Sequence, residues 1–212
     1  MTAMARLILA SSSPRRRLLL SQAGYSHEVV PPDLDDARLR PGDIPPEFWP
    51  AALAYLKAAR VLFDILPTLG TRDGASVVLG ADTIVLKNNE IIGQPADASH
   101  AEHILRTLSG GDHRVITGVA VLVPGRPRRL LLDQALVRVG QLGDDRIAAY
   151  IASGQWRGKA GAYNLSERLA DGWPMTFEGD PACIMGLPMR LLKPLLDNLM
   201  HREVVPAAGV MS

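Results

Sequence analysis

The chain is poor in the features that mark several large protein classes. Its single cysteine, Cys183, cannot form an internal disulfide, which removes the cross-linked secreted scaffolds and fits a reducing cytoplasm. Aromatic residues make up 5% of the sequence, and Lys plus Arg number 23 against 22 for Asp plus Glu. The chain therefore offers neither stacking platforms nor a broad basic field, and a polymeric nucleic acid is not its expected partner. No apolar run approaches the roughly 18 residues of a membrane span, so no membrane partner is expected. The apolar stretch near the start, Leu7-Ile8-Leu9-Ala10, is too short for the core of a signal peptide. There is no G-x-G-x-x-G fingerprint and no G-x-S-x-G elbow, which removes the support for a Rossmann dinucleotide site or a serine hydrolase. Residues 153–160 resemble a Walker A loop only superficially. Gly154 lies one position too close to Gly158-Lys159, and Ala160 stands where a magnesium-binding hydroxyl belongs.

What is present describes an ordinary domain with a sizeable core: 212 residues, of which 47% are hydrophobic and 21% charged. One domain over residues 1–202 is expected, followed by a mobile tail at 203–212 with little to bury. The segment Arg6–Leu20 is the most informative. Leu7–Ala10 reads as a buried strand, Ser13 as a helix N-cap, Pro14 as the first helical residue and Gly24 as the C-terminal stop. Arg15, Arg16 and Arg17 then fall in the first turn, where the helix dipole disfavours each cation by about 0.3–1 kcal/mol. A phosphate bound at that N-terminus would turn the conflict into an attraction. The alternative is a strand-to-helix turn whose arginines point into water.

Further along, Tyr25–Val30 is expected to be a strand and Pro31–Asp36 a loop carrying Asp33, Asp35 and Asp36, a cluster that is either solvated or metal-binding. Pro45–Leu66 has helical spacing, with Lys57 beside the apolar stripe. Val77–Leu86 is the strongest strand signal, and Asn88-Asn89 predicts a tight hairpin into Ile91-Ile92. A helix is expected over Ala98–Leu108, strands over Val115–Val123 and Leu130–Val139, and a helix over Asp144–Ala152. A glycine-rich segment with Lys159, Gln155–Tyr163, follows and reads as a site loop, then come short strands at Met175–Phe177 and Ala182–Met185, and a closing helix containing Pro194. Asp82 interrupts the apolar strand. A buried carboxylate needs a cation, a hydrogen-bond network or a proton. It either caps backbone amides at a strand end or faces a cleft, where with Asp35 or Asp36 it could hold a hard cation such as Mg2+. His100 and His103 read as a surface pair, and Cys183 as a small buried residue.

Six ordered blocks, Leu9-Ala10-Ser11-x-Ser13-Pro14-Arg15-Arg16, Leu53-Ala54-x-x-Lys57-Ala58, Gly80-Ala81-Asp82-Thr83, Leu108-Ser109-Gly110-x-x-His113-x-Val115-x-Thr117, Lys159-Ala160-Gly161-Ala162-Tyr163 and Gly186-Leu187-Pro188, resemble the Maf family of nucleoside triphosphate pyrophosphatases. The resemblance implies an α/β fold related to the inosine triphosphate pyrophosphatases, a mixed twisted sheet flanked by helices with a cleft between two lobes. It implies Asp82 as the catalytic carboxylate and a triphosphate pocket lined by Ser11, Ser13, Arg15, Arg16, Lys57 and Lys159. Asp35 or Asp36, with Asp82, would hold Mg2+ or Mn2+. It also implies a nucleoside triphosphate as substrate and a homodimer. Arg15 and Thr83 match the family's dTTP/UTP branch. Gln94 stands where the family pattern has a lysine, and Ser166 where that branch has a glutamine. A second reading, from the family's link to septum formation, is a nucleotide-binding regulator with weak turnover.

Overall fold

The computed structural model describes residues 5–68 and 76–201, and the expected tail at 203–212 lies outside them. In chain order the elements are β1 (Arg6–Ala10), α1 (Pro14–Gln22), β2 (Glu28–Val29), α2 (Trp49–Ala59), α3 (Leu66–Thr68), β3 (Ser76–Lys87), β4 (Glu90–Ile92), α4 (Ala98–Leu108), β5 (Gly111–Leu122), β6 (Arg129–Val139), α5 (Asp144–Ser153), α6 (Leu165–Ala170), β7 (Met175–Glu178), α7 (Pro181–Ile184) and α8 (Met189–His201). The seven strands form one mixed sheet in the order β2-β1-β3-β5-β6-β7, with β4 beside β3. Parallel pairing of β1 with β2 and β3 needs long crossovers, and α1 and α2 lie on these connections. The remaining pairs are antiparallel, and short turns suffice between neighbours.

Side-chain alternation sorts the central strand β3 onto two faces. Leu79 and Ala81 pack with Leu7, Leu9, Leu19, Leu192 and Leu196 beneath α1 and α8. Val78 packs with Ile8, Ala54, Ala58 and Ala120 beneath α2. Farther along the same strands, Val85, Val115 and Val137 join Leu105, Leu108, Ile147 and Tyr150 in a separate core under α4 and α5. The long strands thus carry two apolar lobes, and the polar positions Asp82, Thr83 and Thr117 fall between them.

Two glycines set the closeness of α2 to the sheet. A Cβ on Gly80 would lie 2.1 Å from the carbonyl oxygen of Ala54, and one on Gly118 would lie 2.3 Å from the amide nitrogen of Ala51. Backbone therefore rests on backbone, which no larger residue permits. The end of α1 is a Schellman motif: Gly24 at φ +85° donates to Ser21 O, and Tyr25 N–H donates to Leu20 O. Asn88 and Asn89, at φ +51° and +65°, make the tight turn between β3 and β4.

Three expectations change. Strand pairing in Tyr25–Val30 is confined to Glu28–Val29, because Tyr25 is still engaged in closing α1. The helix expected from Pro45 starts regularly at Trp49, after a 3-10 turn at Pro46–Phe48, and passes through a π-helical stretch at Arg60–Ile65 before α3. Ala182–Met185 is not a strand: Pro181 occupies a first-turn position, and Asp180 caps Ala182 N–H at 2.9 Å, starting the short helix α7 instead. Pro194 lies inside α8 without ending it.

Candidate active site

A cavity of about 540 Å³ opens between the two lobes, within the range of small-molecule sites. One wall is the β1-to-α1 connection, with Ser11, Ser12, Ser13, Pro14, Arg15 and Arg16 facing the space. Ser13 occupies the N-cap position with extended backbone, but its side chain caps nothing. Its own N–H donates instead to Ser11 Oγ at 3.2 Å. Amides in the first turn are therefore left without a side-chain acceptor, which makes this helix end a natural anion cradle.

The three arginines diverge. Arg17 is exposed and outside the cavity wall. Arg15 is half-buried along it, and desolvation pulls its guanidinium below the usual arginine range, with Glu167 acting in the opposite direction. Arg16 is buried. Its Nε donates to Gly186 O at 2.8 Å, one terminal nitrogen donates to Ser11 Oγ at 3.1 Å, and the other to Thr83 Oγ1 at 3.2 Å. Gly186 takes φ +104°, and a Cβ there would sit 3.2 Å from Arg16 Nε. Arg16 is thus anchored to the β1-to-α1 connection, to β3 and to the turn after α7, while desolvation pulls its guanidinium below the usual arginine range and Asp82 opposes that shift.

Asp82 and Thr83, adjacent on β3, point to opposite faces. Thr83 Oγ1 lies 2.8 Å from Thr117 Oγ1, and Thr117 donates to Cys183 O at 2.8 Å. Since Thr117 spends its proton on that carbonyl, Thr83 must donate to Thr117 and accept from Arg16. The chain of hydroxyls has one direction only. Asp82 faces α2, where Lys57 Nζ contacts Asp82 Oδ1 and Asp36 Oδ2, each at 2.6 Å. Burial pushes the Asp82 carboxyl above the ordinary aspartate range, while Lys57 and Arg16 oppose that shift by favouring the ionised form. The point on which the two carboxylate oxygens converge is thus taken by the Lys57 ammonium. No cluster of three His, Cys, Asp or Glu that could hold a metal ion occurs among the described residues, and Asp36 and Asp82 are the two acids that line the cavity.

Asp35 is not brought to this point. Its carboxylate is exposed and lies 3.7 Å from Arg38, directed away from Lys57 by the 3-10 turn that starts at Asp36. Gln94 also lines the cavity, with Arg157, Gly158, Ala160, Tyr163 and Asn164. Lys159 is absent from that lining; its ammonium is paired with Glu167. Ser166 is also outside, its hydroxyl donating to Asn164 Oδ1 at 2.8 Å. Arg157 and Tyr163 belong to the segment Gln155–Tyr163 that reads as a site loop, whereas neither they nor Asn164 stand out singly as cavity residues in the sequence. Asn164 was findable as a helix cap, since Asn164-x-x-Glu167 has capping spacing and Asn164 Oδ1 accepts Glu167 N–H at 3.3 Å. Tyr163 is held by buried His113, with Nε2 to hydroxyl oxygen at 2.7 Å. Cys183 is fully buried, and burial keeps its thiol protonated. His100 and His103 are both exposed.

The sequence model of the Maf-like protein family matches residues 6–199. The chain belongs to the Maf family. A dTTP/UTP pyrophosphatase of Symbiobacterium thermophilum is 39% identical over 206 residues, covering 97% of this chain and 100% of that one. A dTTP/UTP pyrophosphatase of Hyphomonas neptunium is 40% identical over 200 residues, covering 94% and 98%, and one of Chelativorans sp. is 38% identical over 190 residues, covering 89% and 88%. These Maf relatives span nearly the same length as this chain, and the matched region contains every element that builds the cavity.

Proposed function

We propose that this Maf protein hydrolyses a nucleoside triphosphate between its α- and β-phosphates, releasing the monophosphate and pyrophosphate. The observation that carries the reading is the convergence, in one cavity, of an uncapped helix N-terminus with Arg15 and Arg16 and the Asp36–Lys57–Asp82 cluster, in which Lys57 and Asp82 are buried. One part binds polyanions; the other is equipped for proton transfer and charge neutralisation. The names of the relatives make dTTP and UTP the first substrates to consider.

In this reading the α1 amides and Arg15 receive phosphate oxygens, and Arg16, fixed by its three acceptors, holds the first turn in register. Ionised Asp82 orients a water and accepts its proton as the water oxygen bonds to the α-phosphorus. The bridging P–O bond breaks, and its oxygen leaves with pyrophosphate. Lys57 and Arg15 offset the charge that gathers on the leaving group, in a site where low polarity strengthens each contact. A divalent cation held by Asp36 and Asp82 would supply Lewis-acid stabilisation of phosphate oxygens. A homodimer working in the cytoplasm completes the proposal and rests on the family likeness.

The experiment is a nucleotide panel with Mg2+ or Mn2+ and with neither, separating pyrophosphate from orthophosphate, repeated with Asp82→Asn. Pyrophosphate from dTTP or UTP, dependent on metal and lost at least ~10³-fold in a folded Asp82→Asn protein, is the expected result, the size being that of removing a principal proton acceptor and charge partner. Saturable nucleotide binding without product would replace the enzyme by the regulator, and near-normal turnover in Asp82→Asn would remove Asp82 from its role.

A further inference from the structure

Among the cations near the cavity, Arg157 is the one whose use the fold leaves unexplained. Lys57 is shared by Asp36 and Asp82, Lys159 is paired with Glu167, and Arg16 has three neutral acceptors. Arg157 lines the cavity, and among the described residues no carboxylate pairs with it. It is nonetheless held in place. Its guanidinium carbon lies 4.7 Å from the centroid of the Trp156 ring, and that ring is buried and pinned by Nε1–H donating to Ile151 O at 3.1 Å. Gly154 leaves space for it: an added Cβ there would lie 2.1 Å from an Arg157 terminal nitrogen.

The position of this arginine is equally defined. Gly161 N–H donates to Gly93 O at 3.0 Å, which ties the loop bearing Arg157 to the segment bearing Gln94, and both residues face the same space. Glu167, the partner of Lys159, is also the acidic group whose field acts on Arg15. The loop and the first turn of α1 are therefore both within reach of one carboxylate, and Arg15 and Arg157 line the same cavity. A stacked guanidinium keeps its N–H edge available, and that edge matches two oxygens of a phosphate.

We propose that Arg157 is a polyphosphate-binding residue, contributing the cation of the loop wall so that the phosphate chain is held jointly by Arg15 with the α1 amides and by Arg157. This rests on the reading of the cavity as a nucleoside triphosphate site. The indole of Trp156 and the gap at Gly154 preorganise the guanidinium, and the neutral Gln94 beside it leaves Arg157 as the cation of that wall.

The test uses inorganic tripolyphosphate, which has the phosphates and no base, alongside UTP and dTTP. Binding of tripolyphosphate to the full chain is measured by calorimetry for the native protein, Arg157→Gln, Arg157→Gln with Gln94→Lys, and Arg17→Gln as an equal charge change outside the cavity. Arg157→Gln is expected to weaken tripolyphosphate about 10- to 100-fold, the range of a lost charged hydrogen bond, and to raise KM for the triphosphate similarly. Gln94→Lys should recover at least half of the loss on a logarithmic scale, and Arg17→Gln should change binding less than about 2-fold, as a solvated charge does. Unchanged tripolyphosphate binding in a folded Arg157→Gln protein overturns the proposal, as does a loss equalled by Arg17→Gln. Native protein that binds tripolyphosphate through Arg157 but releases no pyrophosphate from any nucleotide would leave this inference standing and reject the hydrolase.

Discussion

The position of Lys57 depends on a residue that never touches it, and Gly80→Ala is the perturbation that exposes the dependence. The added methyl would start 2.1 Å from Ala54 O and 2.9 Å from Ala58 N, both backbone atoms of α2. A carbon and a carbonyl oxygen settle at about 3.3 Å or more, so α2 has to withdraw from β3 by about 1 Å. No flexible side chain can absorb that shift, because both partners are main chain. Lys57 lies three residues beyond Ala54 on the same helix, and its contact with Asp82 is 2.6 Å. A displacement of about 1 Å breaks that contact or redirects it, and misplacements of this size cost about 10²-fold in turnover. Overpacking in a close-packed interface should also lower stability by about 1–3 kcal/mol. Urea denaturation and pyrophosphate release on the same preparation measure both effects. Gly93→Ala, whose Cβ would meet nothing within 4 Å, serves as the stability control. A Gly80→Ala protein as stable and active as the native chain would refute the claim that backbone contact at this glycine sets the site.

Thr117→Val keeps the shape of the side chain but removes the acceptor for Thr83 and the donor to Cys183 O. It should cost about 1–3 kcal/mol in denaturation and lower kcat/KM, whereas Thr117→Ser should keep turnover; equal turnover in the two would remove the hydroxyl chain from the site's support. His113 is pushed down to about 4 by burial, aided by Lys87 and opposed by Asp112, so the folded protein holds it neutral. An unfolded histidine takes up its proton near pH 6.5, and the contribution is therefore complete above that pH and is lost as the solution is acidified toward 4. Denaturation midpoints should fall by the equivalent of about 2 kcal/mol between pH 7.5 and 5, and His113→Phe should remove most of that dependence.

What the sequence disclosed and what it withheld follow a physical line. The strand before Ser11, the helix after it, the central strand with Asp82 and the Asn88-Asn89 turn all depend on local chemistry: apolar runs, a proline at a helix start, asparagines that accept positive φ. Lys57, Asp36 and Asp82 were identifiable as candidates, and the fold brings them to one point. Choosing between neighbours was beyond local chemistry. Asp35 and Asp36 are adjacent and identical in type, and only the direction of a 3-10 turn sends one outward to Arg38. Lys159 looked like the cation of its loop, yet Glu167 captures it while Arg157 lines the cavity. Just after Lys159 come Gly161 and Ala162 at φ +69° and +63°, a pair of left-handed residues that no apolar pattern announces. The short helix α7 was missed for another reason: Ala182-Cys183-Ile184-Met185 is apolar without period, and the Asp180-Pro181 start signal outweighs it.

The ion cluster raises the question of which force places the other. A buried ion pair returns little net free energy, because removing two charges from water costs nearly what their attraction restores. The attraction between Lys57 and Asp82 is therefore a poor candidate for holding α2 against the sheet. Helix packing is the better one. Ala54, Ala58 and Val61 are fully buried against Val78 and Ala120, a face of small residues whose closeness is permitted by Gly80 and Gly118. Along β3, Gly80 and Asp82 are two residues apart and share that face, so the glycine that admits the helix also aims the carboxylate at it. Apolar contact brings the helix down, and the charges are carried into a place where they would not assemble by themselves. The strain of that arrangement is a raised Asp82 carboxyl and an ammonium squeezed between two acids. Under the proposed function, phosphate oxygens for Lys57 and a divalent cation for the acids are the ligands that would relieve it, so a cluster that adds little to stability would gain from the substrate it is proposed to meet.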